Sequence, residues 1–357
     1  MRIGINVTYG ALKHPTGVGN YIINLVTNLL RLDRNNKYFF YYRFNKVNRK
    51  NFFQYQQVKN KFFEPRLSFL NIFDKLDIFH DPSFKYVNFP FAKIVTTIHD
   101  VVIAVEEDFT SSHSKKVNLP KLEKALFKSD KLIAVSEFSK KEIIKYFNVS
   151  ADKIKVIYSG VDKDRFQNYN ENNKLSLPDK YFLYVGNIEN RKNIKRIVKA
   201  FDIFSKKYQD YYLILIGKNG YNGEEIREFI KDIHNSNIIE IEYVENKELP
   251  LYYKNSIAFL FPSLYEGFGL PILEAFASGT IVITSNNSAT VEAGGDAALY
   301  VNPYNMDDII LKMEEVVKGG LELRESLLEK ARKHLENFSW EKTAINTLAL
   351  YKSLQKE

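Results

Sequence analysis

The chain has 357 residues, 45% of them hydrophobic, with no cysteine and a formal net charge of +8. This length favours two domains of ordinary size with substantial cores, and the lack of thiols excludes disulfides and thiolate metal sites. Up to Arg165 there are 28 Lys and Arg against 16 Asp and Glu, and beyond it 23 against 27, so the first half is the part expected to face something anionic.

In chain order, Arg2–Val7 reads as a strand and Val18–Leu32 as an amphipathic helix, with the glycine turn Thr16-Gly17-Val18-Gly19 between them. The opening strand is too short an apolar run for a signal peptide. No run approaches the roughly 18–20 apolar residues of a membrane span, so a cytosolic protein is expected. Strands follow at Lys37–Arg43, Ile78–His80, Ile94–Ile98, Lys131–Val135 and Ile154–Ile157, with helices at Leu119–Phe127 and Ser136–Tyr146. Ser136 suits an N-cap, and Ser139 with Glu142 is an alternative. The stretch Arg43–Phe53, continuing to Lys59, Lys61, Phe62 and Phe63, mixes cations with aromatics. It fits either an interfacial patch for an anionic membrane surface or a solvated surface whose aromatics turn inward. Nucleic acid is not expected as a partner, because no recognition module accompanies the basic excess.

Ser159–Arg165 and the polar Asn168–Lys174 break the pattern and are placed as the linker. The expected divisions are 1–165, 166–335 and a terminal segment 336–357. Strand–helix alternation then restarts, with strands at Tyr181–Val185, Tyr212–Ile216, Ile238–Ile241, Ile257–Pro262, Ile281–Thr284 and Ala297–Val301. Helices are read at Ile194–Lys207, Glu224–His234, Leu249–Asn255 and from Leu270, with two more closing the chain. Apolar strands alternating with helices give an α/β protein with two Rossmann-like parallel sheets.

The most informative stretch is Ser263-Leu-Tyr-Glu-Gly-Phe-Gly-Leu-Pro-Ile-Leu-Glu274. A buried strand, a glycine turn at Gly267-Phe268-Gly269 and a helix opening at Leu270 make an anion site, because free amides and the helix dipole face one spot. Glu266 and Glu274 flank the turn and suit a hydroxyl-rich ligand carrying phosphate. Asn187-Ile-Glu-Asn-Arg191-Lys192-Asn193 follows another strand, and two cations at a helix start are unfavourable unless an anion compensates. Its dull reading is a solvated basic loop. His99-Asp100 ends a strand, where a neutral imidazole could hold a sugar hydroxyl or serve only structure. Asp162-Lys-Asp164 has the letters of a metal site but lies in the linker, where its acids can cap turns. No metal site is expected. The phosphate loop Gly-x-x-x-x-Gly-Lys-Ser/Thr and the fingerprint Gly-x-Gly-x-x-Gly after the first strand are both absent, which argues against NTPase and dehydrogenase chemistry.

These residues resemble the family-four retaining glycosyltransferases of the GT-B fold over nearly the whole chain. The marks are Thr16-Gly-Val-Gly-Asn-Tyr21, Thr97-Ile-His-Asp100, Ala134-Val-Ser-Glu-Phe-Ser139, Val156-Ile-Tyr-Ser-Gly-Val-Asp162, Tyr184-Val-Gly-Asn187 leading to Arg191-Lys-Asn193, the Glu266–Glu274 stretch, and Phe338-Ser-Trp-Glu-Lys342. The resemblance implies two facing domains with a cleft between them and a last helix that crosses back to the first. It implies that Glu266 contacts the donor sugar, Glu274 the ribose, and Lys192 with Arg191 the diphosphate. Gly267, Phe268, Gly269 and Leu270 would complete that site. Gly17 and Gly19 would approach the sugar phosphate, and His99 the transferred sugar. Many members have Arg directly after the strand glycine, where this chain has Asn187, which shifts the diphosphate toward Lys192 and Arg191.

The resemblance further implies a retaining, metal-independent hexosyltransferase with a nucleotide sugar as substrate and no cofactor. The opening of the chain resembles bacterial mannosyl- and rhamnosyltransferases of surface-polysaccharide (lipopolysaccharide) assembly. The expected donor is GDP-mannose and the expected acceptor a saccharide or lipid-linked saccharide, with the enzyme cytoplasmic and peripheral on the inner membrane face. A UDP-sugar-dependent transferase, a sugar-nucleotide 2-epimerase of the same architecture and a non-catalytic glycan-binding protein are the alternatives.

Overall fold

A computed structural model of the chain describes residues 1–13, 15–43, 53, 58–63, 75–84, 89–105, 107–167 and 176–356. The chain divides into two compact units: Met1–Val105, Ser112–Gly160 and Trp340–Glu357 form the first, and Glu106–Ser111 with Val161–Ser339 the second.

The first unit contains β1 (Arg2–Asn6), α1 (Gly17–Leu32), β2 (Lys37–Arg43), β3 (Val58–Phe63), β4 (Ile78–Asp81), β5 (Lys93–Ile98), α2 (Val102–Val105), α3 (Ser112–Lys128), β6 (Lys131–Ala134), α4 (Glu137–Phe147) and β7 (Ile154–Val156). Its strands form one sheet in the order β3-β2-β1-β4-β5-β6-β7, with every pairing parallel. Runs such as Ile94–Ile98 are buried on both faces, which is why they read as continuous apolar segments. Ser136 caps α4 by accepting from the Ser139 amide at 2.9 Å. The edge strand β3 departs from the sequence reading, in which its residues continue the basic, aromatic stretch. Residues 44–52 of that stretch lie outside the described residues, as do the side chains of Lys61, Phe62 and Phe63.

The second unit holds α5 (Lys163–Gln167), β8 (Tyr181–Val185), α6 (Ile194–Lys207), β9 (Tyr212–Ile216), α7 (Gly223–Asp232), β10 (Ile238–Ile241), α8 (Leu249–Asn255), β11 (Ala258–Phe261), α9 (Leu270–Ala277), β12 (Ile281–Ser285), α10 (Thr290–Gly294), β13 (Leu299–Val301) and α11 (Met306–Leu335). Its sheet runs β10-β9-β8-β11-β12-β13, again all parallel. Helix α6 shows how the sequence builds this layer. Ile194, Ile197, Val198, Phe201 and Phe204 recur at three- and four-residue spacing and are buried, while Lys195, Lys199 and Lys206 lie on the other side. The segment 159–165 contains a short helix: Asp162 accepts from the Arg165 amide at 3.1 Å and so opens α5. Residues 168–174 of the expected linker lie outside the described residues.

The last helix, α12 (Trp340–Lys356), belongs to the first unit. It packs on α1 through Trp340, whose ring lies 5.7 Å from that of Tyr21. Farther along, the Tyr351 hydroxyl bonds Nδ1 of His80 at 2.6 Å, and the other His80 nitrogen lies 2.8 Å from the Thr97 hydroxyl. Burial holds the His80 imidazole down to about 3, so it is neutral and joins α12, β4 and β5 without a charge.

Candidate active site

Three consecutive strand ends of the second unit build the candidate site. After β8 the chain turns through Gly186 and exposed Asn187 to a short 3-10 turn at Asn190–Lys192. Asn193 ends that turn at φ 64°, and its side chain donates to the Pro262 and Pro303 carbonyls at 3.0 and 2.7 Å. This fixes the loop against the ends of neighbouring strands and aims Arg191 and Lys192 at the segment after β11.

There Glu266, only 6% exposed, receives both cations. Lys192, 9% exposed, places its Nζ 2.5 Å from Oε1, and the Arg191 guanidinium lies 3.0 Å from Oε2. Arg191 also donates to the Tyr265 carbonyl at 2.8 Å and to Glu189 at 2.7 Å. Lys192 Nζ sits 4.7 Å above the Phe261 ring. Burial alone would raise the Glu266 carboxyl, but Lys192 and Arg191 overcome it and hold the group below the ordinary carboxylate range. Burial lowers the Lys192 ammonium despite its partner. The four charges of Glu189, Arg191, Lys192 and Glu266 cancel. The cations expected to meet a diphosphate are therefore held in place by carboxylates, and Glu189 is a member that sequence reasoning did not single out.

Gly267, Phe268 and Gly269 follow, all buried, with Leu270 half-buried at the start of α9. Gly269 adopts φ 113°, a region that side chains disfavour, and a Cβ there would lie 3.2 Å from that of Ala293. Among the described residues no side chain caps α9 and its first turn has no acid, so the positive end of the helix dipole is not offset there. The preceding loop is fixed by residues that carried no sequence signal. Ser288 accepts from the Glu266 amide at 3.3 Å, the Ala289 amide donates to the Glu266 carbonyl at 3.3 Å, and Asn287 donates to the Leu264 carbonyl at 2.9 Å.

Glu274 does not share the cation cluster. It lies a turn into α9, half-buried, and accepts from the Tyr253 hydroxyl at 3.2 Å. Burial pushes its carboxyl up, against the lowering influence of Arg165 and of the Tyr253 bond. The eight-residue spacing thus gives the two acids opposite environments.

In the first unit, His99 follows β5. Its Nε2 lies 2.9 Å from the Pro82 carbonyl, and the ring of Tyr21 approaches edge-on at 4.9 Å. A carbonyl only accepts, so Nε2 carries the proton; burial lowers the imidazole pKa, leaving a neutral ring with a lone pair on Nδ1. Gly17 and Gly19 lie in the first turn of α1, not in a free turn before it. A Cβ on Gly19 would fall 2.6 Å from the Tyr9 carbonyl oxygen and 2.7 Å from Pro15, whereas Gly17 has nothing within 4 Å. Close packing explains Gly19, whereas Gly17 leaves space beside the helix start among the described residues.

Among the described residues, no group of three or more His, Cys, Asp or Glu could hold a metal ion. Among them, too, no helix is long and apolar enough to cross a membrane.

The family models described as Glycosyltransferase Family 4 and Glycosyl transferases group 1 match residues 15–165 and 165–334. The O-antigen chain mannosyltransferase B of Escherichia coli is 30% identical over 285 residues, 78% of this chain and 74% of that protein. Among solved structures, sucrose-phosphate synthase from Thermosynechococcus elongatus superposes with a TM-score of 0.80 at 19% identity, over 100% of this chain and 99% of that one. Anabaena HepE, solved with UDP and glucose, gives 0.79 at 15% identity over 99% and 100%. At those identities the two structures speak for the fold alone. With strand order, turn and relatives in agreement, the chain belongs to the family-four glycosyltransferases and has the GT-B fold.

Proposed function

We propose that this glycosyltransferase moves mannose from GDP-mannose onto a saccharide or lipid-linked saccharide in cell-surface polysaccharide synthesis, with retention at the anomeric carbon and without a divalent ion. The observation that carries the reading is the buried Arg191–Lys192–Glu266 cluster beside the uncapped start of α9. The sugar and the polymer are suggested by the O-antigen chain mannosyltransferase at 30% identity.

The difficult step breaks the bond between the anomeric carbon and the donor phosphate while negative charge builds on the departing diphosphate. Lys192, Arg191 and the amides of Phe268–Leu270 supply fixed positive charge and dipoles for that oxygen, the form of catalysis in which preorganised electrostatics lowers the barrier. As the diphosphate takes Lys192, Glu266 is released to accept from a hydroxyl of the sugar. Glu274 takes the ribose, and Asn187 lines the diphosphate. By resemblance, His99, Gly17 and Gly19 are assigned to the transferred sugar and its phosphate. The acceptor hydroxyl attacks on the face from which the diphosphate leaves, and the leaving phosphate oxygen takes its proton. The enzyme works in the cytosol, with the basic first half of the chain meeting an anionic membrane surface.

The test is transfer from GDP-mannose, UDP-glucose and dTDP-rhamnose to lipid-linked saccharides, with EDTA present and with the product's anomeric configuration read by NMR. An α-mannoside formed in EDTA supports the reading; an inverted product, or transfer only with added metal, rejects it. Incubation with the donor alone that yields an epimer would instead favour an epimerase. Failure to float with anionic liposomes at low salt rejects the membrane contact.

A further inference from the structure

The turn Gly267–Gly269 is held from behind by residues outside the donor-binding set. Phe268 is 6% exposed, and its ring packs on Phe338, 4% exposed, at 5.7 Å between centroids. The His334 ring meets Phe338 at 5.0 Å, edge to face. His334 Nε2 lies 3.2 and 3.1 Å from the carbonyls of Glu292 and Ala293 at the end of α10. These acceptors require the proton on Nε2. Ala293 in turn backs Gly269, whose added Cβ would lie 3.2 Å away. The contacts close a ring: turn, Phe338, His334, α10, turn. Gly295 belongs to the same construction, because a Cβ there would come 2.5 Å from the His334 ring. Phe338 is itself pinned where its carbonyl accepts from the Val161 amide at 3.3 Å.

We infer that His334 and Phe338 are positioning residues for the donor diphosphate. Neither reaches the ligand. His334 anchors α10 and Phe338 to one another, and Phe338 fixes the Phe268 ring, so the amides of Phe268, Gly269 and Leu270 keep one direction. An amide that rotates away from an oxyanion loses most of its stabilising effect, since hydrogen bonds weaken steeply with angle. This inference rests on the donor-site reading above and deepens it.

The test uses the full chain and compares dissociation constants for a nucleoside diphosphate and its bare nucleoside, GDP with guanosine or UDP with uridine, whichever pair the wild type binds. The turn touches only the diphosphate, so the ratio of the two constants isolates it from general loosening of the fold. Phe338→Ala and His334→Leu should each cut the preference for the diphosphate about tenfold, the scale of one charge-assisted hydrogen bond, and leave nucleoside affinity unchanged. His334→Gln, which keeps a donor near Nε2, should restore most of it. Should Phe338→Ala fail to fold, Phe338→Leu serves in its place. Folded variants with the wild-type ratio, or variants that lose both ligands equally, overturn the inference. A wild type that binds nucleosides but shows no preference for diphosphates overturns the donor reading itself.

Discussion

Replacing Glu266 by Gln separates holding the diphosphate from moving the sugar. Glu266 occupies both cations, at 2.5 and 3.0 Å, and a diphosphate must compete with it for Lys192. Stripping one partner from a buried pair costs about 3–5 kcal/mol. Here Arg191 keeps Glu189 at 2.7 Å, and the Gln carbonyl can retain one of the two contacts, so about 2 kcal/mol is expected. For a unit of this size that lowers Tm by about 4–8 °C. The pH dependence has a definite sign. The folded pKa of Glu266 lies below its unfolded value, so its stabilisation is present above about pH 4.3 and is lost as pH falls through the folded pKa. The Tm gap between wild type and variant should narrow toward pH 3.5. Without the competing carboxylate, the variant should bind bare GDP or UDP about three- to tenfold more tightly, yet transfer sugar at least about tenfold more slowly. Calorimetric titration and a transfer assay read both quantities. Weaker nucleotide binding by a folded Glu266→Gln would refute the competition argument.

Glu274→Gln should behave in the opposite sense. Burial raises the folded pKa of Glu274, so its contribution to stability is full below the unfolded value and is lost as pH rises through the folded one. The variant should therefore melt above wild type at pH 7.5 and level with it at pH 4, while nucleotide affinity falls about three- to tenfold; the reverse pH trend in thermal melts would contradict the assignment. Gly19→Ala must push the Tyr9 carbonyl or Pro15 aside and should cost about 1–3 kcal/mol in denaturant unfolding. Gly17→Ala meets open space and should be neutral to about 0.5 kcal/mol stabilising, so a fall in kcat/KM with Gly17→Ala at unchanged stability would place the donor against this helix start.

Much of the fold was legible because both sheets are buried on two faces. Tyr181–Val185 and Tyr212–Ile216 announce themselves as uninterrupted apolar runs, and their boundaries match the strands. Edges and short helices were not legible. Val-Lys-Asn-Lys-Phe-Phe of β3 has the composition of a basic surface segment, and only pairing with β2 makes it a strand. The five residues of α10 carry no periodicity long enough to read. At the site, the glycine turn and the Arg-Lys pair stood out because each violates a local preference without a ligand. Glu189, Ser288, Ala289, His334 and Phe338 violate none. Except for Glu189, which pairs with nearby Arg191, their roles arise from contacts between distant segments, such as Phe338 with Phe268 and with Val161, that only the folded chain assembles. The spacing of Glu266 and Glu274 placed both acids about the turn without showing their partners; tertiary neighbours gave one two cations and the other a tyrosine.

A crystal structure of the chain with a nonhydrolysable nucleotide sugar tests the central claim most directly. The account predicts diphosphate oxygens within about 3 Å of Lys192 Nζ and of an amide in Phe268–Leu270, with Glu266 turned to a hydroxyl of the sugar. A donor bound with its diphosphate away from Lys192, and with the Lys192–Glu266 pair intact, would contradict it.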